Sequence, residues 1–323
     1  MNHRPLGSSG LVVSVVGLGC NAFGRRIDAD ASTAVIHAAL DEGITLFDTA
    51  DTYGFGASET ILGRALGSRR AEVVVATKFG SDMQGRNGPD WGARASRRYI
   101  RTAVTASLRR LGADWIDLYQ LHEPDGVTPF EETLVVLDEI VTEGKVRYVG
   151  SSNLAAWQVV EADWVARTGG YERFVSAQNK YSIYDRAAEA ELVPACERVG
   201  VGILPYFPLE YGLLTGKYRR DEPAPVGSRL AVEKERFKTA DFDRIEALER
   251  FATQQDIGLL DVAIGGLAAQ PAVASVIAGA TRPEQVRANV EASRWQPTAD
   301  DLAALDEVSR RSAVAQGADV RAG

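Results

Sequence analysis

Four residues of different chemistry stand at or just past the ends of short apolar runs: Asp48, Tyr53, Lys78 and His122. A carboxylate, a phenol, an ammonium and an imidazole brought together make a proton donor suited to a carbonyl oxygen. A phenol with a pKa near 10 holds its proton too tightly to be an ideal acid at neutral pH. A neighbouring ammonium favours the phenolate, so Lys78 is expected to lower that value, with Asp48 holding the ammonium charged and in place. His122 would orient the substrate oxygen. Each residue alone has a plainer reading, because a strand-end Asp is often a cap and a loop Tyr is often packing. Lys78 is harder to dismiss in a chain that uses 30 Arg and 6 Lys. His3 and His37 fall in the N-terminal arm and a helix, where surface or packing roles are expected. A carbonyl beside such an acid needs only a hydride source, which an organic cofactor supplies.

The elements that must position these groups follow a strand-then-helix rhythm. Short apolar runs at 15–19, 45–48, 73–78, 116–121, 146–151, 174–178, 202–205 and 273–278 carry the β-branched residues expected of strands buried on both faces. Segments with helical spacing lie between them, at 31–42, 59–66, 97–111, 130–143, 155–166, 187–199 and 242–255. Thr128 is the candidate cap of the fourth, with Pro129 in its first turn. Gly43, Gly112, Gly144 and Gly200 follow four of the helices, where a left-handed terminating residue is common.

Eight such units predict an α/β fold, a (β/α)8 TIM barrel formed as a single domain over 1–323. Long loops are expected after strands 3 (80–96) and 7 (206–239), and an extra C-terminal helix at 299–309 followed by a polar tail. The competing architecture, an open doubly wound sheet, is disfavoured because Gly17 and Gly19 lack the third glycine of a dinucleotide fingerprint. That pair reads as a tight strand exit. In a barrel the catalytic groups sit at the strand ends facing the βα loops, which puts the four residues in one bowl.

Composition excludes several other classes. The chain has 36 basic and 44 acidic residues, a net charge of −8, which argues against nucleic acid or an anionic membrane as partner. Two cysteines, Cys20 and Cys196, provide neither a disulfide framework nor metal-ligand spacing, and a reducing cytoplasm fits that usage. The N-terminus lacks the apolar core of a signal peptide. The most apolar stretch, 258–280, is interrupted by Asp261, Gln270 and Pro271 and should not span a bilayer.

Further motifs extend the pattern: FDTADTYG at 47–54, ATKFG at 76–80, LHEPD at 121–125, GSSN at 150–153, QNKYS at 178–182, GLLTGKY at 212–218 and GATRPEQVRAN at 279–289. In this order, over nearly the whole chain, they resemble the aldo-keto reductase family. The resemblance implies a metal-free barrel that reduces aldehydes and ketones with NADPH, using Asp48, Tyr53, Lys78 and His122, with Tyr53 as general acid. It implies that Ser152, Asn153 and Gln178 hold the nicotinamide carboxamide and that Tyr206 stacks on the ring. Leu209, Gly212 and Lys217 would wrap the pyrophosphate. Gly279, Arg282, Gln285 and Asn289 would meet the adenosine 2′-phosphate and adenine at a helix N-terminus. Many members carry Lys at the Gly279 position and Arg at the Gln285 position. Arg282 is then the main cation for a 2′-phosphate, favouring NADPH over NADH.

Phe23, Phe55 and Trp91 are expected to line an apolar substrate pocket for aromatic or apolar carbonyl compounds. The alternative is a cofactor-binding regulatory or sensor subunit on the same barrel with little turnover, since some members associate with channels. No basic arm or hydrophobic tail signals a partner, and homo-oligomerisation stays open.

Overall fold

The β-branched runs pair into one continuous parallel sheet in a computed structural model of the chain, which describes residues 1–319. Its strands are β3 (Val16–Gly19), β4 (Leu46–Asp48), β5 (Val74–Phe79), β6 (Ile116–Leu121), β7 (Val146–Ser152), β8 (Phe174–Gln178), β9 (Gly202–Ile203) and β10 (Val276–Gly279). Each pairs in parallel with its sequence neighbour, and β10 pairs with β3. The gap between β9 and β10 is bridged by Ile203 N to Ala272 O at 2.7 Å, Ala274 N to Ile203 O at 2.9 Å and Ile277 N to Pro205 O at 3.0 Å. The eight strands therefore form a closed ring. The run expected at 202–205 ends early as a ladder because Pro205 has no N–H to give.

Helices cover the outside of the ring. In chain order they are α1 (Ala29–Asp41), α2 (Ala57–Leu66), α3 (Arg97–Leu111), α4 (Phe130–Thr142), α5 (Ala156–Gly169) and α6 (Leu192–Val199). The short α7 (Arg229–Val232) and α8 (Lys234–Lys238) follow, then α9 (Phe242–Gln254), α10 (Leu259–Asp261), α11 (Pro283–Ala292) and α12 (Ala299–Asp319). Asp28 starts α1 two residues earlier than the periodicity suggested, its Oδ1 accepting from Ala31 N at 2.9 Å. The glycines expected to stop helices do so in the left-handed region, with φ of +77° at Gly43, +61° at Gly112, +76° at Gly144 and +76° at Gly200.

Thr128 does not cap α4. The Asp125 carboxylate takes both its N–H (2.8 Å) and its hydroxyl (2.7 Å), which leaves Pro129 at the cap position without a side-chain bond. The long connection after β9 is not one open loop, because it contains α7, α8 and the tight-turn segment Glu210–Thr215. The terminal helix continues past 309 to Asp319, where a polar tail was expected. The last four positions of the 1–323 range, 320–323, lie outside the described residues.

A short antiparallel hairpin, β1 (His3–Pro5) with β2 (Val12–Ser14), has no counterpart in the sequence reading, which treated this stretch as an arm. Its strands are three residues long, too short for a period-two signal. The hairpin, with its connection, carries Leu6, Leu11 and Val13 into a cluster with Leu46, Ala76, Leu118, Leu204 and Ile277, and so plugs the ring interior. Gly17 belongs to this interior as well, within β3 rather than at a strand exit, and a Cβ there would stand 2.7 Å from the side-chain tip of Ile277. The larger core cluster lies between sheet and helices. The 258–280 stretch is divided between α10, a wider turn and β10, and no helix among the described residues is long and apolar enough to cross a membrane.

Candidate active site

Alternation along β5 sets the first part of the site. Thr77 and Phe79 face outward, to Glu59 on α2 and to Tyr119 respectively, so Lys78 between them faces the ring interior. Lys78 is completely buried. Its Nζ donates to both carboxylate oxygens of Asp48 (2.8 Å each) and to Thr49 O (2.8 Å), and meets Tyr53 OH at 3.4 Å. Asp48 ends the neighbouring strand β4, and His122 follows β6 directly, its N–H bonded to Phe79 O at 2.7 Å. The Tyr53 and His122 rings meet edge to face with centroids 6.2 Å apart. Three adjacent strands thus bring the four residues together.

Burial opposes the charge on Lys78, but Asp48 and then Tyr53 outweigh it and hold the ammonium above the usual lysine range. Tyr53 moves opposite to the sequence expectation. Its phenol is raised, because burial outweighs the downward pull of Lys78 and Asp48 adds to the rise. The pull of Lys78 falls short of burial while its ammonium also faces the Asp48 carboxylate, at 2.8 Å against 3.4 Å to the phenol. Tyr53 is accordingly a protonated donor. Burial, then Lys78, push His122 down to about 3, which makes it a neutral imidazole. Its Nδ1 is buried without a hydrogen-bond partner.

A hydrogen-bond chain joins these groups to the residues expected at the nicotinamide. Gln178 Nε2 donates to Asp48 Oδ1 at 2.8 Å, and Ser152 Oγ donates to Gln178 O at 2.8 Å. Asn153, in the left-handed region at φ +57°, gives Nδ2 to His122 O (2.9 Å) and Ser152 Oγ (3.1 Å). Its Oδ1 accepts from Tyr206 OH at 2.8 Å. Tyr206 is half-buried, next to Phe207.

Further along, Leu209 packs on the core and Gly212 has φ +97°. Lys217 is exposed, with its ammonium 5.2 Å from the Tyr218 ring. Gly279 is exposed at the end of β10, and Arg282 is exposed at the N-cap of α11. Gln285 Oε1 accepts from Thr281 N at 2.7 Å, while Asn289 is buried. Neither Lys217 nor Arg282 forms an ion pair with a described carboxylate, although most other cations of this acidic chain do.

The expected aromatic pocket is dispersed. Phe23 is wholly buried in the core, tucked under by a turn in which Gly24 N donates to Ile27 O at 3.0 Å, so it lines no surface. Phe55 is 41% exposed with the Arg86 guanidinium 4.0 Å over its ring, and Trp91 is 77% exposed against Arg98 at 4.3 Å. What the sequence missed is a buried polar cluster behind Tyr53, made of Asp51, Glu59, Asn87, Tyr99 and Arg110. Asn87 lies in an irregular loop and carries no periodic signal. Among the described residues no group of three His, Cys, Asp or Glu side chains is arranged to hold a metal.

A ring of eight parallel strands with this constellation at its strand ends defines a barrel oxidoreductase acting on carbonyl groups. The model of the Aldo/keto reductase family matches residues 15–310, and the chain belongs to that family. It is 37% identical over 313 residues to the NADH-specific methylglyoxal reductase of Escherichia coli (strain K12), covering 90% of this chain and 93% of that protein. Identity is 35% over 303 residues to a probable voltage-gated potassium channel subunit beta of Oryza sativa subsp. japonica, covering 90% and 91%. It is 32% over 336 residues to the versiconal hemiacetal acetate reductase of Aspergillus parasiticus, covering 95% and 96%.

Proposed function

We propose that the protein reduces an aldehyde or ketone to the alcohol with NADPH, in preference to NADH, and that Tyr53 is the general acid. The observation that carries this reading is the Lys78 ammonium held between Asp48 and the Tyr53 hydroxyl. The residues present suit a nicotinamide dinucleotide. Ser152, Asn153 and Gln178 provide donors and acceptors for a carboxamide, the half-buried Tyr206 provides a ring face, and Leu209 and Gly212 shape a wrapping segment. Lys217 and Arg282 are cations that form no ion pair with a carboxylate among the described residues, with Gly279, Gln285 and Asn289 around the N-terminus of α11. When bound, the reduced cofactor supplies hydride to the carbonyl carbon.

The chain's own groups handle the proton. Tyr53 gives its hydroxyl proton to the carbonyl oxygen as charge develops there. Lys78 stabilises the phenolate left behind, and Asp48 keeps Lys78 charged and aimed. The neutral His122 ring offers an N–H that orients the oxygen. Tyr53→Phe is expected to lower kcat by at least about 10²–10⁴-fold while NADPH affinity, read by fluorescence titration, stays near the parent. Full activity in that variant would refute Tyr53 as the acid.

A regulatory or sensor subunit is the second reading, favoured by the relatives named as probable potassium channel beta subunits. Tight NADPH binding with no turnover across a panel of simple aldehydes and ketones would select it.

A further inference from the structure

Directly behind the loop that carries Tyr53 lies a buried polar cluster with no part in the mechanism above. Asp51 stands two residues before Tyr53 and is wholly buried, as are Glu59 on α2 and Thr77 on β5. Asp51 Oδ2 accepts from Asn87 Nδ2 at 3.1 Å, and its N–H donates to Lys78 O at 3.3 Å. Asn87 belongs to loop 80–96 and is itself buried. It gives a longer bond to Tyr99 OH (3.4 Å) and accepts from Arg110 Nη1 (3.1 Å). Arg110 Nε reaches Glu59 at 2.5 Å, and Glu59 accepts from Thr77 Oγ1, the residue before Lys78, at 2.6 Å.

Replacing such a cluster with apolar side chains of similar volume is often neutral or stabilising, so stability alone gives it no purpose. Its members instead come from five separate elements: the Tyr53 loop, loop 80–96, α2, α3 and β5. What only directional bonds can do here is fix the height of one loop against the others.

We propose that Asp51 and Asn87 are positioning residues for Tyr53. Their contact ties the loop after the third barrel strand to the loop of the acid, and holds the phenol where it meets both Lys78 and a substrate oxygen. The proposal rests on the reading of Tyr53 as proton donor.

Asn87→Ala removes the donor to Asp51 and the acceptor for Arg110. In the full-length protein with NADPH and benzaldehyde, kcat is expected to fall about 10- to 100-fold. KM and NADPH affinity should stay near the parent, and amide hydrogen exchange should rise in the peptide 49–56. Asp51→Ala should behave in the same way and carries the test if Asn87→Ala does not fold. Asp51→Asn keeps the acceptor and the shape, and should restore both exchange protection and kcat. Parental kcat in Asn87→Ala and Asp51→Ala, or unchanged exchange in 49–56, would overturn the proposal. If the parent reduces no carbonyl compound with either NADPH or NADH, the reading of Tyr53 has failed instead. Exchange then decides alone, a rise supporting the positioning contact and no change overturning it.

Discussion

At the scale of single residues, the site depends on one charge shared three ways. Lys78 is fully buried, and Asp48 at 2.8 Å is what makes an ammonium tolerable there. Removing one partner strands the other without its counter-charge. Lys78→Met is therefore expected to destabilise the fold by about 3–5 kcal/mol, read by urea unfolding, as well as to abolish turnover. A loss below about 1 kcal/mol would show that water or a shift of Asp48 compensates. Asp51 yields a second expectation. Burial, then the neighbouring Glu59, push its carboxyl up to about 8, with Arg110 opposing and Tyr99 and Tyr119 the other titratable groups facing it. Between the ordinary carboxylate range and that value the folded chain keeps a proton that the unfolded chain has released. The contribution of Asp51 to stability consequently declines as pH rises across that window. Asp51→Asn should flatten this decline, so the gap between its Tm and that of the parent should grow from pH 5 to pH 8; a constant gap would contradict the raised value.

At the scale of elements, close approach decides which residues are allowed. Gly63 on α2 faces the last turn of α3, where an added Cβ would lie 2.0 Å from Leu111 O. Backbone cannot yield as a side-chain tip can, so Gly63→Ala is expected to cost at least about 1–3 kcal/mol by forcing the two helices apart. Chemical denaturation followed by circular dichroism would measure it, and a neutral outcome would mean that α2 slides freely. Because α3 carries Arg110 and Tyr99, the same substitution should also weaken the cluster behind Tyr53. Most helices were legible because each has one apolar face with a clear period, and most strands because each is a short β-branched run buried on both faces. The β1–β2 hairpin was not, since three-residue strands have no period to read. The cap of α4 also failed to show, because Asp125 competes for Thr128 from outside the local motif.

At the scale of the whole molecule, the closed ring converts distant sequence positions into one bowl, and binding there should stabilise the entire fold. A ligand held only by the native state adds about 2.7 kcal/mol at 100 times its Kd. NADPH is expected to raise Tm more than NADH at equal concentration, and Arg282→Ala should shrink that difference by removing the exposed cation at the N-terminus of α11. Equal shifts for the two cofactors in the parent would remove the case for NADPH preference. The NADH-specific relative makes this comparison a sharp one.

Local sequence was enough to determine the strand and helix order, the four polar residues and their placement at strand ends, because period and strand-end position are local properties. Tertiary structure decided the rest. It raised the Tyr53 phenol where Lys78 alone would have lowered it, since burial outweighs the ammonium and the Asp48 carboxylate adds to the rise. It buried Phe23, which sequence had placed in a pocket wall. It also brought Asn87 from an irregular loop to within 3.1 Å of Asp51. Electrostatic balance and loop contact are sums over neighbours in space, and only closure of the ring makes those residues neighbours.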